Sequence, residues 1–285
     1  MSDSEIREAS KEHWSASADS WARGAEEEEA GVAAAASAWM LEAAALREGE
    51  RVLELACGAG RVGLQAAGRV GSAGSVLCTD FSEAMVEAVS GRVARLEVDN
   101  VATRQIDAEH LDLGAEDPFD AVLCRFGYML MADPVQAMRE SARVLHPDGR
   151  LVLGVWGAAE RNPWLAIILN AVMAHLEAPP PGPEDPGPFA LGERSRLPEV
   201  ISRAGFTEVE IAEIDGEERY DSLDAWWEKN LDGSGPLSAV LEALPAGDQN
   251  AIRSAASADA EAFLAGDGSL VFPAMVLGAR ATKSS

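Results

Sequence analysis

Val52-Leu53-Glu54-Leu55-Ala56-Cys57-Gly58-Ala59-Gly60 decides the fold. A short apolar run gives way to glycines, and these open a helical stretch reaching about Val70. This is the pattern of a buried strand entering a tight turn and then a helix. Glycine tolerates backbone angles that other residues avoid and lets the main chain approach a ligand closely. The first turn of the helix then presents free N–H groups. Gly58, Gly60 and Gly63 spell GxGxxG, a pattern shared with dinucleotide-binding enzymes.

The same alternation continues outward. Strands are expected at 51–56, 75–79, 101–106, 119–124 and 150–156, with helices between them. Ser82 is placed to cap a helix from Glu83, and Pro134 fits the first turn of another. His146-Pro147-Asp148-Gly149 reads as a turn. Strands alternating with helices of this length predict a parallel sheet covered on both faces. After Trp156 the alternation breaks. Helices are expected at 162–177, 196–204 and 222–265, and strands at 206–220 and 270–281. Residues 178–188 hold six prolines and must be extended. Pro273 points to the N-terminal end of its strand or to an edge position. Residues 1–46 read as helices, with Trp14 and Trp21 on one face and Glu26–Glu29 a solvated turn or helix end.

Composition narrows the function. The net charge is −25, from 23 basic and 48 acidic residues. That field repels phosphate backbones and anionic membranes, so nucleic acid and membrane partners are not expected. No apolar run approaches the ~20 residues of a membrane helix, and no signal peptide is visible, so a cytoplasmic location is the default. Cys57, Cys78 and Cys124 are widely spaced and odd in number, suggesting neither disulfides nor a metal site.

Two acids follow strands. Asp80 stands 20 residues beyond Gly60 and can accept hydrogen bonds from both hydroxyls of an adenosine ribose. Asp107-Ala108 follows the third strand, where an adenine ring would lie and its exocyclic amine could donate to the acid.

The ordered set resembles the class I S-adenosylmethionine methyltransferases, in particular the type 11 group related to ubiquinone and menaquinone C-methyltransferases. VLELACGAG, CTDFSEAMVEAV, QIDAEHLDL, FDAVLCRFGYMLMADP and RVLHPDGRLVLGVW match the family's five motifs in order, over roughly residues 50–156. His146-Pro147-Asp148-Gly149 departs from the usual turn, and the loop Phe126 to Asp133 lacks the polar pairs of nucleic-acid amino methyltransferases. The resemblance implies an α/β, Rossmann-like fold with a seven-stranded, mostly parallel sheet whose last strand runs antiparallel. It implies S-adenosyl-L-methionine as cofactor and S-adenosyl-L-homocysteine as product. Ala56, Gly58 and Gly60 would meet the methionine part, and Asp80 the ribose. Phe81 would lie beside the adenine, which Asp107 and Ala108 would bracket. Arg125 would sit near the methionine end, and Met85 belongs to the second motif.

Three segments are expected: a helical lid at 1–46, the cofactor core at 47–156, and the rest of the sheet at 157–285 with helical caps at 157–200 and 221–265. Aromatic walls suit an apolar or aromatic acceptor, with Trp14, Trp21, Phe126, Tyr128, Trp156 and Trp164 as candidates. Among possible bases, His110 and His146 are poorly placed; Tyr128, His13 and His175 are the candidates, although alignment and water exclusion alone suffice for many acceptors. The expected reaction is methyl transfer to a small molecule, at C or O in preference to N, by a monomer or homodimer. A nicotinamide oxidoreductase explains the glycines and Asp80 but leaves Asp107-Ala108 unexplained. A binding protein that has lost turnover is the other alternative.

Overall fold

A computed structural model describes residues 3–26, 30–114, 117–182, 185–232 and 236–284. Glu27–Glu29 of the acidic run, and Pro183 and Glu184 of the proline-rich segment, lie outside the described residues.

The sheet contains β1 (Arg51–Leu55), β2 (Ser75–Asp80), β3 (Val101–Gln105), β4 (Phe119–Arg125), β5 (Leu145–Trp156), β6 (Phe206–Tyr220) and β7 (Leu270–Lys283). Their order is β3-β2-β1-β4-β5-β7-β6. All pairings from β3 to β5 are parallel, while β7 runs antiparallel to both β5 and β6. The strand order reverses between β1 and β4, and the carboxyl ends of those strands open a crevice there. Within β5, residues 146–149 form an excursion: the register with β4 passes from Phe119↔Leu145 to Ala121↔Arg150. Pro273 sits near the start of β7, beyond the last β5 pairing at Trp156↔Val276, so no β5 donor is missed there.

Alternation along β1 explains the layers. Val52 points to the face covered by α3 (Gly31–Ala43), α4 (Arg61–Val70) and α5 (Glu83–Arg95). Leu53 and Leu55 point to the other face, with Met138 of α6 (Pro134–Val144) and Leu197 and Ile201 of α8 (Arg196–Arg203). The expected cap forms, the Ser82 hydroxyl accepting from the Met85 N–H at 3.3 Å, and Pro134 opens its helix as expected, behind a cap in which Asp133 accepts from the Gln136 N–H at 2.9 Å. The three cysteines are free and buried.

The N-terminal helices divide in two. α1 (Asp3–Ala16) and α2 (Ala18–Glu26) replace the single helix face expected for Trp14 and Trp21, yet the two rings still meet edge to face at 5.8 Å. α3 does not join them. It packs across β5, β6 and β7, where a Cβ on Gly278 would lie 2.4 Å from the Trp39 ring. Beyond the end of β5, the β6–β7 ribbon runs on and carries a second core. Tyr220 and Phe272 pack there with α7 (Pro163–His175), α9 (Leu223–Asp232), α10 (Pro236–Glu242) and α11 (Ala246–Ala260), around a fully buried Trp226. Among the described residues no helix is long and apolar enough to cross a membrane.

Candidate active site

The crevice is framed by two strand ends under strain. Past β1, Ala56 has φ +49°; past β4, Phe126 has φ +59°. Non-glycine residues rarely hold such angles, which cost about 1–3 kcal/mol each and cluster where function demands them. The loops also touch: a Cβ on Gly127 would lie 2.6 Å from that of Ala56. Gly58, at φ +52°, provides the tight turn.

Asp80 fixes this turn. One carboxylate oxygen accepts the Gly58 N–H at 3.0 Å and the other accepts the Ser82 N–H at 3.0 Å. The side chain therefore ties the glycine loop to the start of α5. Burial raises its pKa to about 6 despite those bonds. After β3, Asp107 accepts the Glu109 N–H at 2.9 Å, which turns the chain at Ala108.

A cavity opens on these residues, with about 990 Å³ of empty space, its mouth included. Ala56, Gly58, Asp80 and Arg125 line one part of it; Phe81, Met85, Asp107 and Ala108 line another. Trp14 of α1, Trp21 of α2 and Phe126 after β4 also line it. Gly60 is not in the wall. At φ +73° it precedes α4, and a Cβ there would meet Val89 at 2.3 Å, so it serves close packing of α4 on α5.

Several candidates lie elsewhere. Tyr128 is fully buried in the core below the loop, its hydroxyl 2.7 Å from that of Ser141, and burial pushes its pKa far up. It is not among the residues that line the cavity. His175 is at the end of α7, 3.2 Å from Asp248 in the second core's outer helix. His13 is on α1 but outside the cavity wall. Trp156 stacks behind Phe126, with ring centroids 4.1 Å apart, and Trp164 packs edge-on to Trp156 at 5.0 Å. Those two rings pack behind the wall without lining it, Trp156 against the sheet core and Trp164 against the second core.

Other wall residues were not anticipated. Glu54 is buried on the α4 face of β1, accepting the Gly63 N–H at 2.9 Å and the Cys78 thiol at 3.4 Å; burial pushes its pKa up to about 7. An acid inside the apolar run VLELA was the readable sign. Glu109 is also buried, and Arg7 of α1 reaches it. Arg125 has a structural duty too: it donates to the Ser37 hydroxyl at 2.9 Å, anchoring α3, and lies over the Phe126 ring at 5.3 Å.

Residues 46–178 match the family model described as a methyltransferase domain. The stretch from just before β1 to just past α7, a little under half of the chain, is thus similar to a methyltransferase domain. The ubiquinone/menaquinone biosynthesis C-methyltransferase UbiE of Cellvibrio japonicus is 35% identical over 114 residues, which is 40% of this chain and 45% of that protein. A demethylmenaquinone methyltransferase from Halalkalibacterium halodurans is 35% identical over 107 residues, covering 38% and 43%. The match thus spans less than half the length of either of these two relatives. Among solved structures, the YcgJ protein of Bacillus subtilis superposes with a TM-score of 0.60 at 21% identity, over 88% of this chain and 98% of that one, a likeness of fold. The methyltransferase-domain match begins just before β1 and ends past α7, so α1, α2 and the second core around Trp226 lie largely outside it.

Proposed function

We propose that this chain transfers a methyl group from S-adenosylmethionine to a small, apolar or aromatic acceptor, at carbon or oxygen in preference to nitrogen. The observation that carries the reading is Asp80: a buried carboxylate in the cavity wall, fixed by the Gly58 and Ser82 N–H groups, on oxygens that can each accept more than one hydrogen bond. A ribose offers two adjacent hydroxyl donors, and hydrogen bonds of that kind relieve the cost of burying the charge. Phe81, Met85 and Ala108 give the apolar slot an adenine needs, with Asp107 at its rim, while Ala56 and Gly58 leave room for the methionine arm. The residues present therefore fit the cofactor.

When bound, S-adenosylmethionine supplies a sulfonium methyl that is already electrophilic. The protein's task is alignment and dryness. Trp14 and Trp21 cover the cavity and exclude water, and Phe126, stiffened by Trp156, offers the acceptor a flat apolar wall. The cavity wall contains no His, Lys or Tyr among the described residues, and its acids Glu54, Asp80, Asp107 and Glu109 are each tied to a backbone N–H. Proximity without a dedicated base is the mechanism that fits. The curated relatives named above support a quinol-like ring as the first acceptor to try. The test is methyl-labelled S-adenosylmethionine offered with a panel of hydroquinones, phenols, small amines and carboxylates. Label in the flat aromatic members is expected; label confined to amines or carboxylates would overturn the acceptor reading.

A further inference from the structure

We infer that Glu109 is a positioning residue that latches α1 to the loop after β4, residues 126–133, so that covering the cavity and shaping the wall on the β4 side are one event. The inference rests on the methyltransferase reading for its consequence, but its geometry stands alone. Glu109 lies two residues past Asp107, and its own N–H donates to that acid. Its side chain is 3% exposed. One carboxylate oxygen takes Arg7 of α1 at 3.0 Å; the other accepts the Ala132 N–H, in the loop after β4, at 3.0 Å. Arg7, Glu109 and Ala132 all line the cavity.

The division of the carboxylate is what couples the two elements. A buried carboxylate needs a cation or several donors, and losing one partner leaves the charge poorly compensated. Lifting α1 removes Arg7 and hydrates Glu109, which loosens its hold on Ala132. Conversely, an ordered loop holds the carboxylate where Arg7 can reach it. Arg7 is 30% exposed, so the pair opens from the solvent side without disturbing the sheet. Elsewhere along α1 the Ser15 and Ser82 hydroxyls meet at 2.9 Å, a neutral contact at the other end of the helix.

The experiment uses the full chain with Arg7→Ala, Glu109→Gln, the double variant and Arg7→Lys. Gln keeps the acceptor for Ala132 and the side-chain volume but removes the charge. Hydrogen exchange is followed in α1 and in residues 126–133 of the free protein. Release of S-adenosylhomocysteine is followed by stopped-flow tryptophan fluorescence, since Trp14 and Trp21 cover the cavity. Arg7→Ala is expected to speed exchange in both segments and to speed release by about tenfold, the scale of one charge-assisted bond. The double variant should be no worse than the worse single, and Lys should restore part of the effect. Faster exchange in α1 with residues 126–133 unchanged, or additive effects in the double variant, overturns the latch. Failure of the unaltered chain to bind S-adenosylhomocysteine overturns the cofactor reading instead, and the exchange data still judge the latch.

Discussion

Replacing Asp80 with Asn probes the site at its most informative atom. Asn has almost the same shape, so the glycine loop and α5 keep their places. It retains one oxygen and replaces the other with an NH₂ group. The two oxygens of Asp80 face the N–H groups of Gly58 and Ser82, each at 3.0 Å. One of these donors must then face another donor, at a cost of about 1–3 kcal/mol. Part of that is offset, because a carboxyl whose pKa burial has raised to about 6 no longer needs to be held ionised. The net expectation is a melting point lower by a few degrees. Cofactor affinity suffers more. Asn loses one charge-assisted bond to a ribose hydroxyl and weakens the other, about 2–4 kcal/mol together, or roughly 30- to 700-fold in Kd. Titration calorimetry with S-adenosylhomocysteine, paired with scanning calorimetry, measures both quantities. A variant that stays folded and binds within about threefold of the parent chain refutes the ribose assignment.

Other expectations follow from the same geometry. Glu54 has its pKa raised from 4.5 to about 7 by burial, so the folded chain holds a proton that the unfolded chain has lost between those values. Stability from this group is full below pH ~4.5 and falls as pH rises through about 7, by up to ~3 kcal/mol; Glu54→Gln should flatten that fall in melting curves from pH 5 to 8, and an unchanged slope would count against it. Cofactor affinity should decline as pH drops below about 6, where Asp80 takes up a proton, and calorimetry across pH 5 to 8 checks this. Gly63→Ala should destabilise by more than ~2 kcal/mol, since its Cβ would lie 2.3 Å from Glu54 and 2.4 Å from Cys78, whereas Gly68→Ala, with open space on the same helix, should stabilise by ~0.5–1 kcal/mol in denaturant titrations. Tyr128→Phe should leave S-adenosylhomocysteine affinity within twofold while lowering stability by ~1 kcal/mol through the lost Ser141 contact.

The cofactor half was legible because its signals are local. Gly58, Asp80 and Asp107 each stand at or just past the end of a strand, and parallel strands bring their ends to one edge, so order along the chain translates into a shared crevice. The antiparallel close was implied by the family resemblance, and the loss of strand–helix alternation late in the chain only agreed with it. The catalytic candidates were not legible, because reach depends on side-chain direction: Tyr128 follows β4 by three residues yet turns into the core against Ser141. Trp156 and Trp164 stand for a second limit. Aromatic residues in an added segment fill either a site or that segment's own core, and here Trp226 and Phe272 created a core for Trp164 to join. The latch lay beyond reach for another reason. Arg7 and Glu109 are 102 residues apart, and nothing local in either marks the other. Glu54 was the missed opportunity, since an acid in a strand otherwise built of Val and Leu has to be buried for a purpose.

The most direct test of the account is titration of the purified chain with S-adenosylhomocysteine, with NADH as the control ligand. Micromolar binding of the first, none of the second, and loss of binding in Asp80→Asn are the expected results. Binding of NADH, or of neither ligand, would contradict the assignment of the Asp80 and Asp107 wall to an S-adenosyl group.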